Sequence, residues 1–402
     1  MPTEPLTITT DAGHRLAGSL EMPTGFVRGA ALFAHCFTCT KQSKAAVAVT
    51  RALAECGIAT LRFDFTGLGG SEGEFGRAGF ATDVGDLVAA AESLLERFGG
   101  KLLLVGHSLG GAAVLAAADD LGFDRIAAIA TIGAPSDVAH VLDRIGGNLA
   151  AIQQKGQGDV TIGGRAFALS REFIDRTVSA KLLNEVARIR VPLMILHAPT
   201  DEYVSVDHAS KLFMAAKHPK SFVSLDGAHH LLLDDIDARF AAGVIASWAD
   251  RYLPARGNDL KPVEGVIVRT GHGKFGTEVH TDTHRFIADE PLSYGGNDSG
   301  PSPYDLLLAA LGTCTAMTMK IYADRKGLAF DGTTIALRHE RNHAEDLCHA
   351  LDESEAAQAI YRTISLAGDL SADDQAKLIE IADKCPVHRT LEGHLHIHTE
   401  RA

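Results

Sequence analysis

Across residues 28–254, short apolar and β-branched runs alternate with longer stretches of helical periodicity. This is the pattern of a mostly parallel sheet covered by helices on both faces. The runs at 30–34, 58–63, 101–105, 126–132, 193–197 and 221–225 predict strands. The stretches at 43–55, 82–97, 110–120, 207–216 and 238–252 predict the helices between them, the last stopped by Pro254. Upstream, residues 6–21 alternate around Asp11-Ala12-Gly13, which predicts a hairpin. Residues 135–186 break the rhythm with a Gly-rich stretch and helical pieces such as 170–177. An insertion there hangs over the C-terminal edge of the sheet, where open α/β folds bind ligands, and is expected to form a small cap.

The pattern then changes. Residues 255–262, with proline, glycine and mixed charges nearby, predict a linker between a domain at 1–254 and a second at 263–402. The second domain reads as antiparallel strands (263–269, 274–281, 284–288), a long apolar helix (303–325), strands at 333–341 and 359–366, a helix at 372–384 and a last strand at 394–399. That order is α+β. Two domains also fit a length of 402 residues, beyond the size at which single cores stop growing.

Composition narrows the function. A formal net charge of -13 with no basic run argues against a nucleic-acid partner, which needs a cationic face. Without a basic, apolar leader or an uninterrupted apolar stretch of about 20 residues, neither export nor a membrane span is expected, and the expected location is the cytoplasm. Six cysteines are too sparse and uneven for a disulfide framework, so reduced thiols are expected, with Cys36 and Cys39 as small fillers. His339, His343, Cys348 and His349 match no zinc spacing and are expected on a solvated strand and loop. The chemistry below requires no cofactor or metal.

Gly106-His107-Ser108-Leu109-Gly110 gains its weight from its setting between a buried-type strand and a helix. That placement puts Ser108 on a sharp strand-to-helix turn with its hydroxyl above the sheet. A serine hydroxyl is a weak nucleophile without a base and a group that orients the base. Asp201 follows the strand at 193–197, and His229-His230 follow the strand at 221–225, each at a strand's C-terminal end. The competing reading makes Ser108 a helix N-cap and the other two surface turn residues, which needs three coincidences in order.

Residues 5–254 resemble the α/β-hydrolase family. The resemblance rests on the nucleophile pentamer, on Gly227-Ala228-His229-His230 as a G-A-x-H turn that selects His230 as base, and on Ala198-Pro199-Thr200-Asp201 in place of G-x-x-D. Arg62-Phe63-Asp64-Phe65-Thr66-Gly67-Leu68-Gly69-Gly70-Ser71 matches the family's R-x-D-x-x-G-x-G-x-S turn, with Asp64 structural. The resemblance implies an ester or thioester hydrolase using Ser108, His230 and Asp201, with an oxyanion hole from the N–H groups of Leu109 and Phe37, the latter in a turn reading His35-Cys36-Phe37-Thr38. A small-molecule acyl compound is the implied substrate.

Residues 263–402 resemble the OsmC/Ohr thiol peroxidases. The matching text runs from Gly300-Pro301-Ser302-Pro303-Tyr304-Asp305 to Cys314 in the long helix, then Asp383-Lys384-Cys385-Pro386. The resemblance implies that Cys314 attacks a peroxide and Cys385 resolves the sulfenic acid. It also implies a homodimer built through this domain, which is otherwise a dimerisation or substrate-delivery module. The alternative for the whole chain is an organic hydroperoxide reductase using Cys314 and Cys385, with a hydrolase domain that only binds.

Overall fold

A computed structural model describes residues 1–144, 149–162, 165–178, 181–254, 265–340 and 359–401. They divide into two compact bodies, 1–287 with 295–299, and 288–294 with 300–402. The residues read as linker, 255–262, and His343, Cys348 and His349 lie outside the described residues.

The first body is built on one eight-stranded sheet. Its strands are β1 (Thr3–Thr9), β2 (Arg15–Glu21), β3 (Gly29–Ala34), β4 (Ile58–Phe63), β5 (Leu102–His107), β6 (Ile126–Ile132), β9 (Leu193–His197) and β10 (Lys220–Ser224). Their order is β1-β2-β4-β3-β5-β6-β9-β10. The β1–β2 hairpin pairs antiparallel with β4, and every pairing from β4 to β10 is parallel. Strands β3 to β6 are buried almost throughout because helices cover both faces, which explains their unbroken apolar sequences. The covering helices are α1 (Lys44–Glu55), α2 (Phe75–Ala78), α3 (Phe80–Phe98), α4 (Leu109–Leu121), α7 (Leu182–Arg188), α8 (Val206–Ala215) and α9 (Asp235–Ala249). Ser43 caps α1 through the Ala46 N–H, and Asp234 caps α9 through the Ile236 N–H, so both helix starts are written in the chain.

Sheet order sets the site. From β3 the chain moves to β4 on one side and then to β5 on the other, so the loops leaving β3 and β5 diverge and open a crevice. The β3–β5 register pairs Ala34 with Gly106, which sets the turn after β3 beside the turn after β5.

The insertion holds α5 (Leu149–Lys155), α6 (Arg171–Val178) and an antiparallel hairpin of β7 (Gln157–Ile162) and β8 (Arg165–Ser170). The sequence reading anticipated helical pieces there but not the hairpin. The first body also contains a three-stranded sheet, β11 (Ile267–Thr270), β12 (Thr277–His280) and β13 (Arg285–Ala288). Glu278 of β12 accepts a hydrogen bond from the Phe26 N–H at 2.5 Å.

In the second body, α10 (Pro303–Lys326) starts in a capping box between Ser302 and Asp305, with Pro303 in its first turn, and ends at Gly327 in the left-handed region. It packs on the pair β14 (Phe330–Glu340) and β15 (Ala359–Gly368) and on α11 (Ala372–Ala382), around Met319, Ala323, Leu378 and Ala382. A short helix, α12 (Pro386–Glu392), follows Cys385. The strand expected at 394–399 does not form: that segment is exposed and has no strand partner among the described residues. Period-two alternation alone makes no ladder.

Candidate active site

Ser108 occupies the turn between β5 and α4 with φ 55° and ψ -122°, a backbone conformation that side chains seldom adopt. Glycines on either side make the turn possible. A Cβ on Gly106 would stand 2.3 Å from the Gly110 carbonyl oxygen, and one on Gly110 would stand 2.3 Å from the Ala34 carbonyl oxygen. Only glycine allows α4 to start this close to β3.

The structure brings the three predicted residues together. His230 Nε2 lies 3.0 Å from Ser108 Oγ, and His230 Nδ1 lies 2.7 Å from Asp201 Oδ2. Asp201 Oδ1 accepts hydrogen bonds from the Tyr203 and Val204 N–H groups, both at 2.8 Å. Burial pushes the Asp201 carboxyl upward, but the His230 hydrogen bond and these backbone donors outweigh it, and the net shift is below the usual carboxylate range. With Asp201 ionised, a hydrogen on His230 Nδ1 would point at the carboxylate and Nε2 would face the Ser108 hydroxyl as an acceptor. His229, the rejected neighbour, accepts the Leu231 N–H instead. Gly133, at φ 57°, backs the pair: a Cβ there would stand 3.2 Å from His230 Nδ1.

Several contributors escaped sequence reasoning. His107 Nε2 is 2.7 Å from the His230 carbonyl oxygen, and Tyr203 stacks on the His230 ring at 5.3 Å between centroids. Burial holds His107 neutral, its pKa lowered to about 3. His197 Nε2 is 2.7 Å from the Val204 carbonyl oxygen and braces the Asp201 turn. His107 was visible only as the variable position of the pentamer, and His197 only as a strand's last residue.

Leu109 opens α4, so its N–H belongs to the helix end that attracts negative charge. Phe37 lies in the neighbouring turn after β3. Its ring meets Phe75 at 5.5 Å and Phe173 of the insertion at 6.4 Å, and Phe75 meets Phe167 at 4.9 Å. An aromatic wall thus joins that turn to the insertion. Asp64 is structural as expected: buried, it accepts from the Lys41 N–H at 2.6 Å and the Gly70 N–H at 2.9 Å, and it pairs with Lys41 Nζ. Cys36 and Cys39 are bonded to each other, contrary to the expectation of reduced thiols.

In the second body, Cys385 caps α12, with Sγ accepting from the His388 N–H at 3.3 Å and from Thr315 Oγ1 at 3.5 Å. Burial raises its thiol, yet these hydrogen bonds, one from Cys314 and the charge of Arg362 prevail, and the net shift is downward. Arg362 Nη1 donates to Thr315 Oγ1 at 3.0 Å. This arginine sits on β15 in a region without any sequence motif. Asp305 spends its carboxylate on the Ser302 cap, and about 13 Å of helix rise separates it from Cys314. Tyr304 stacks on His339 at 4.7 Å. Among the described residues no group of three or more His, Cys, Asp or Glu side chains is placed to hold a metal ion.

An eight-stranded, mostly parallel sheet, a strained serine at the β5–α4 turn and a hydrogen-bonded histidine define a class. Residues 26–243 match the alpha/beta hydrolase family, and the chain belongs to that family. Residues 295–400 match the OsmC-like proteins, so an OsmC-like domain follows the hydrolase fold. Among solved structures, the esterase domain of a Rhodothermus marinus protein is 43% identical, with a TM-score of 0.52 over 63% of this chain and 99% of that one. Est1E from Butyrivibrio proteoclasticus with bound ferulic acid, 22% identical, shares the fold at a TM-score of 0.53 over 61% of this chain and 98% of its own. The uncharacterized protein YfhR of Escherichia coli (strain K12) is 24% identical over 170 residues, 42% of this chain and 52% of that protein. The chain spans about half the length of the curated relatives it matches.

Proposed function

We propose that the protein is a serine carboxylesterase for small or medium esters, working through an acyl-enzyme on Ser108, with thioesters as the second substrate class. The observation that carries this reading is the continuous hydrogen-bond chain from Ser108 Oγ through His230 to Asp201. Ser108 Oγ attacks the acyl carbon while its proton passes to His230 Nε2. The carbonyl oxygen gains the electron pair and is received by the N–H groups of Leu109 and Phe37. The imidazolium then protonates the departing alcohol, leaving the acyl-enzyme. Water, deprotonated by the same Nε2, attacks the ester carbonyl and releases the acid. Asp201 holds the productive tautomer and stabilises the imidazolium. The aromatic wall of Phe37, Phe75, Phe167 and Phe173 supports an apolar acyl or alkoxy group. The likeness to the esterase domain of the Rhodothermus marinus protein agrees with this choice.

Steady-state kinetics on p-nitrophenyl esters of graded acyl length test the reading. Ser108→Ala and His230→Ala should each lower kcat by several powers of ten, and Asp201→Asn by somewhat less. Near-normal turnover in His230→Ala beside a dead His229→Ala would overturn the assignment of the base.

A second activity in the OsmC-like domain is supported by the lowered Cys385 thiol beside Arg362. In this reading Cys314 thiolate attacks an organic hydroperoxide, releasing the alcohol and forming a sulfenic acid, and Cys385 displaces water from it to close a disulfide. Met317 and Ile321 on α10 are 63% and 53% exposed, an apolar face suited to a second copy of the chain, and a homodimer through this domain is proposed with it. By length and composition alone α10 is also long and apolar enough to cross a membrane.

A further inference from the structure

Phe37 sits in a four-residue turn that is closed covalently, since the sulfurs of Cys36 and Cys39 are bonded. The Cys36 carbonyl and the Phe37 N–H are opposite ends of one planar peptide unit, so fixing the oxygen fixes where the N–H points. Two donors converge on that oxygen: His35 Nδ1 at 2.8 Å and the Cys39 N–H at 3.1 Å. His35 Nε2 accepts the Phe65 N–H at 3.4 Å, which leaves its hydrogen on Nδ1, and burial keeps the ring neutral by lowering its pKa. Beyond the turn, Lys41 is tied to Asp64 through its N–H and its ammonium. One residue in the ring resists. Thr38 is β-branched and held at φ 58°, a conformation that such residues rarely adopt. The Cys36–Cys39 bond keeps Cys39 under the Cys36 oxygen in spite of that strain. Cys36 is buried and Cys39 is half-buried, so Cys39 is the sulfur an incoming thiolate reaches first.

We propose that Cys36 and Cys39 form a dithiol/disulfide site that sets hydrolase activity, high when the pair is bonded and low when it is reduced. The proposal rests on Phe37 N–H serving as an oxyanion donor. Reduction takes a dithiol. One thiolate attacks Cys39 Sγ, the Cys36–Cys39 bond breaks, and Cys36 leaves as a thiolate that takes up a proton. The reductant's second thiol then closes its own disulfide and frees Cys39, so two electrons and two protons have entered the turn. Oxidation takes an organic hydroperoxide. The Cys39 thiolate attacks the terminal oxygen, the O–O bond breaks, and the alkoxide leaves as alcohol; Cys36 displaces water from the sulfenic acid and restores the bond. The sum is dithiol plus hydroperoxide giving disulfide, alcohol and water. In the open turn Thr38 relaxes and the Phe37 peptide is free to rotate. Full loss of one oxyanion donor costs about 10² to 10³ in kcat, so loosening it should cost about tenfold or more while KM changes little.

The test uses the full chain with Cys314→Ser, Cys348→Ser and Cys385→Ser, which removes the second body's thiols. Turnover of p-nitrophenyl butyrate is measured after dithiothreitol, and again after reoxidation with cumene hydroperoxide. Alkylation and peptide mapping report Cys36, Cys39 and Cys56 in each sample. Reduction should open the Cys36–Cys39 pair and lower kcat about tenfold or more, reversibly, and Cys39→Ser should sit at the low level whatever the reductant. Unchanged kcat in protein mapped as reduced, full activity in Cys39→Ser, or loss of far-ultraviolet circular dichroism in step with the loss of activity would overturn the proposal. If the oxidised protein shows no Ser108-dependent turnover, the hydrolase reading fails and this proposal with it. Ser108-dependent turnover that ignores reduction defeats this proposal alone.

Discussion

Gly110→Ala probes the join between fold and chemistry. Its new Cβ would stand 2.3 Å from the Ala34 carbonyl oxygen and 2.5 Å from that of His35, backbone atoms with no rotamer to escape into. Ordinary non-bonded contact begins near about 3.5 Å, so α4 and the end of β3 must part by about 1 Å. His35 begins the turn that carries Phe37, so this displacement moves a proposed oxyanion donor relative to Ser108. A 1 Å misplacement of reacting groups costs about 100-fold in rate. Overpacking costs about 1 to 3 kcal/mol, against which alanine returns about 1 kcal/mol of helix propensity, so stability should drop by up to about 2 kcal/mol. The assay is kcat/KM on p-nitrophenyl butyrate together with urea unfolding. Gly85→Ala is the control: Gly85 lies in α3, and a Cβ there meets nothing within 4 Å. It should retain full activity and gain slightly in stability. Wild-type kcat/KM and stability in Gly110→Ala would refute the claim that this glycine sets the spacing of the site.

Stability should depend on pH through His107. Its folded pKa of about 3 lies below the unfolded value of about 6.5, so the neutral ring's contribution is complete above about pH 6.5 and is lost as pH falls toward 3. At about pH 5 the loss is about 2 kcal/mol relative to pH 8, and His107→Gln should shrink that gap in urea unfolding; an equal gap in both proteins would refute it. A chain ending at Ser299, which keeps the three-stranded sheet of the first body and drops α10, should remain hydrolytic and run as a monomer by light scattering, with the full chain a dimer; an insoluble fragment or a monomeric full chain would contradict this.

The strands and the order Ser108, Asp201, His230 were legible because buried parallel strands are apolar throughout and the site residues follow their C-terminal ends. The β7–β8 hairpin was harder to read. Residues 157–170 hold two runs around Gly163-Gly164, a turn signal obscured by the glycines around it. His107, His197, Tyr203 and Arg362 gain their roles from partners distant in the chain or from backbone geometry, and no local pattern marks either. The turn closed by the Cys36–Cys39 bond holds Thr38 in the left-handed region, a conformation that the residue type argues against.

The most direct test of the central claim is intact-mass and peptide mass spectrometry after exposure to a fluorophosphonate, which phosphonylates a serine only where a base activates it. The account predicts one adduct per chain, on the peptide containing Ser108, absent in Ser108→Ala and strongly slowed in His230→Ala. No adduct on folded wild-type protein, or an adduct that persists in Ser108→Ala, would contradict it.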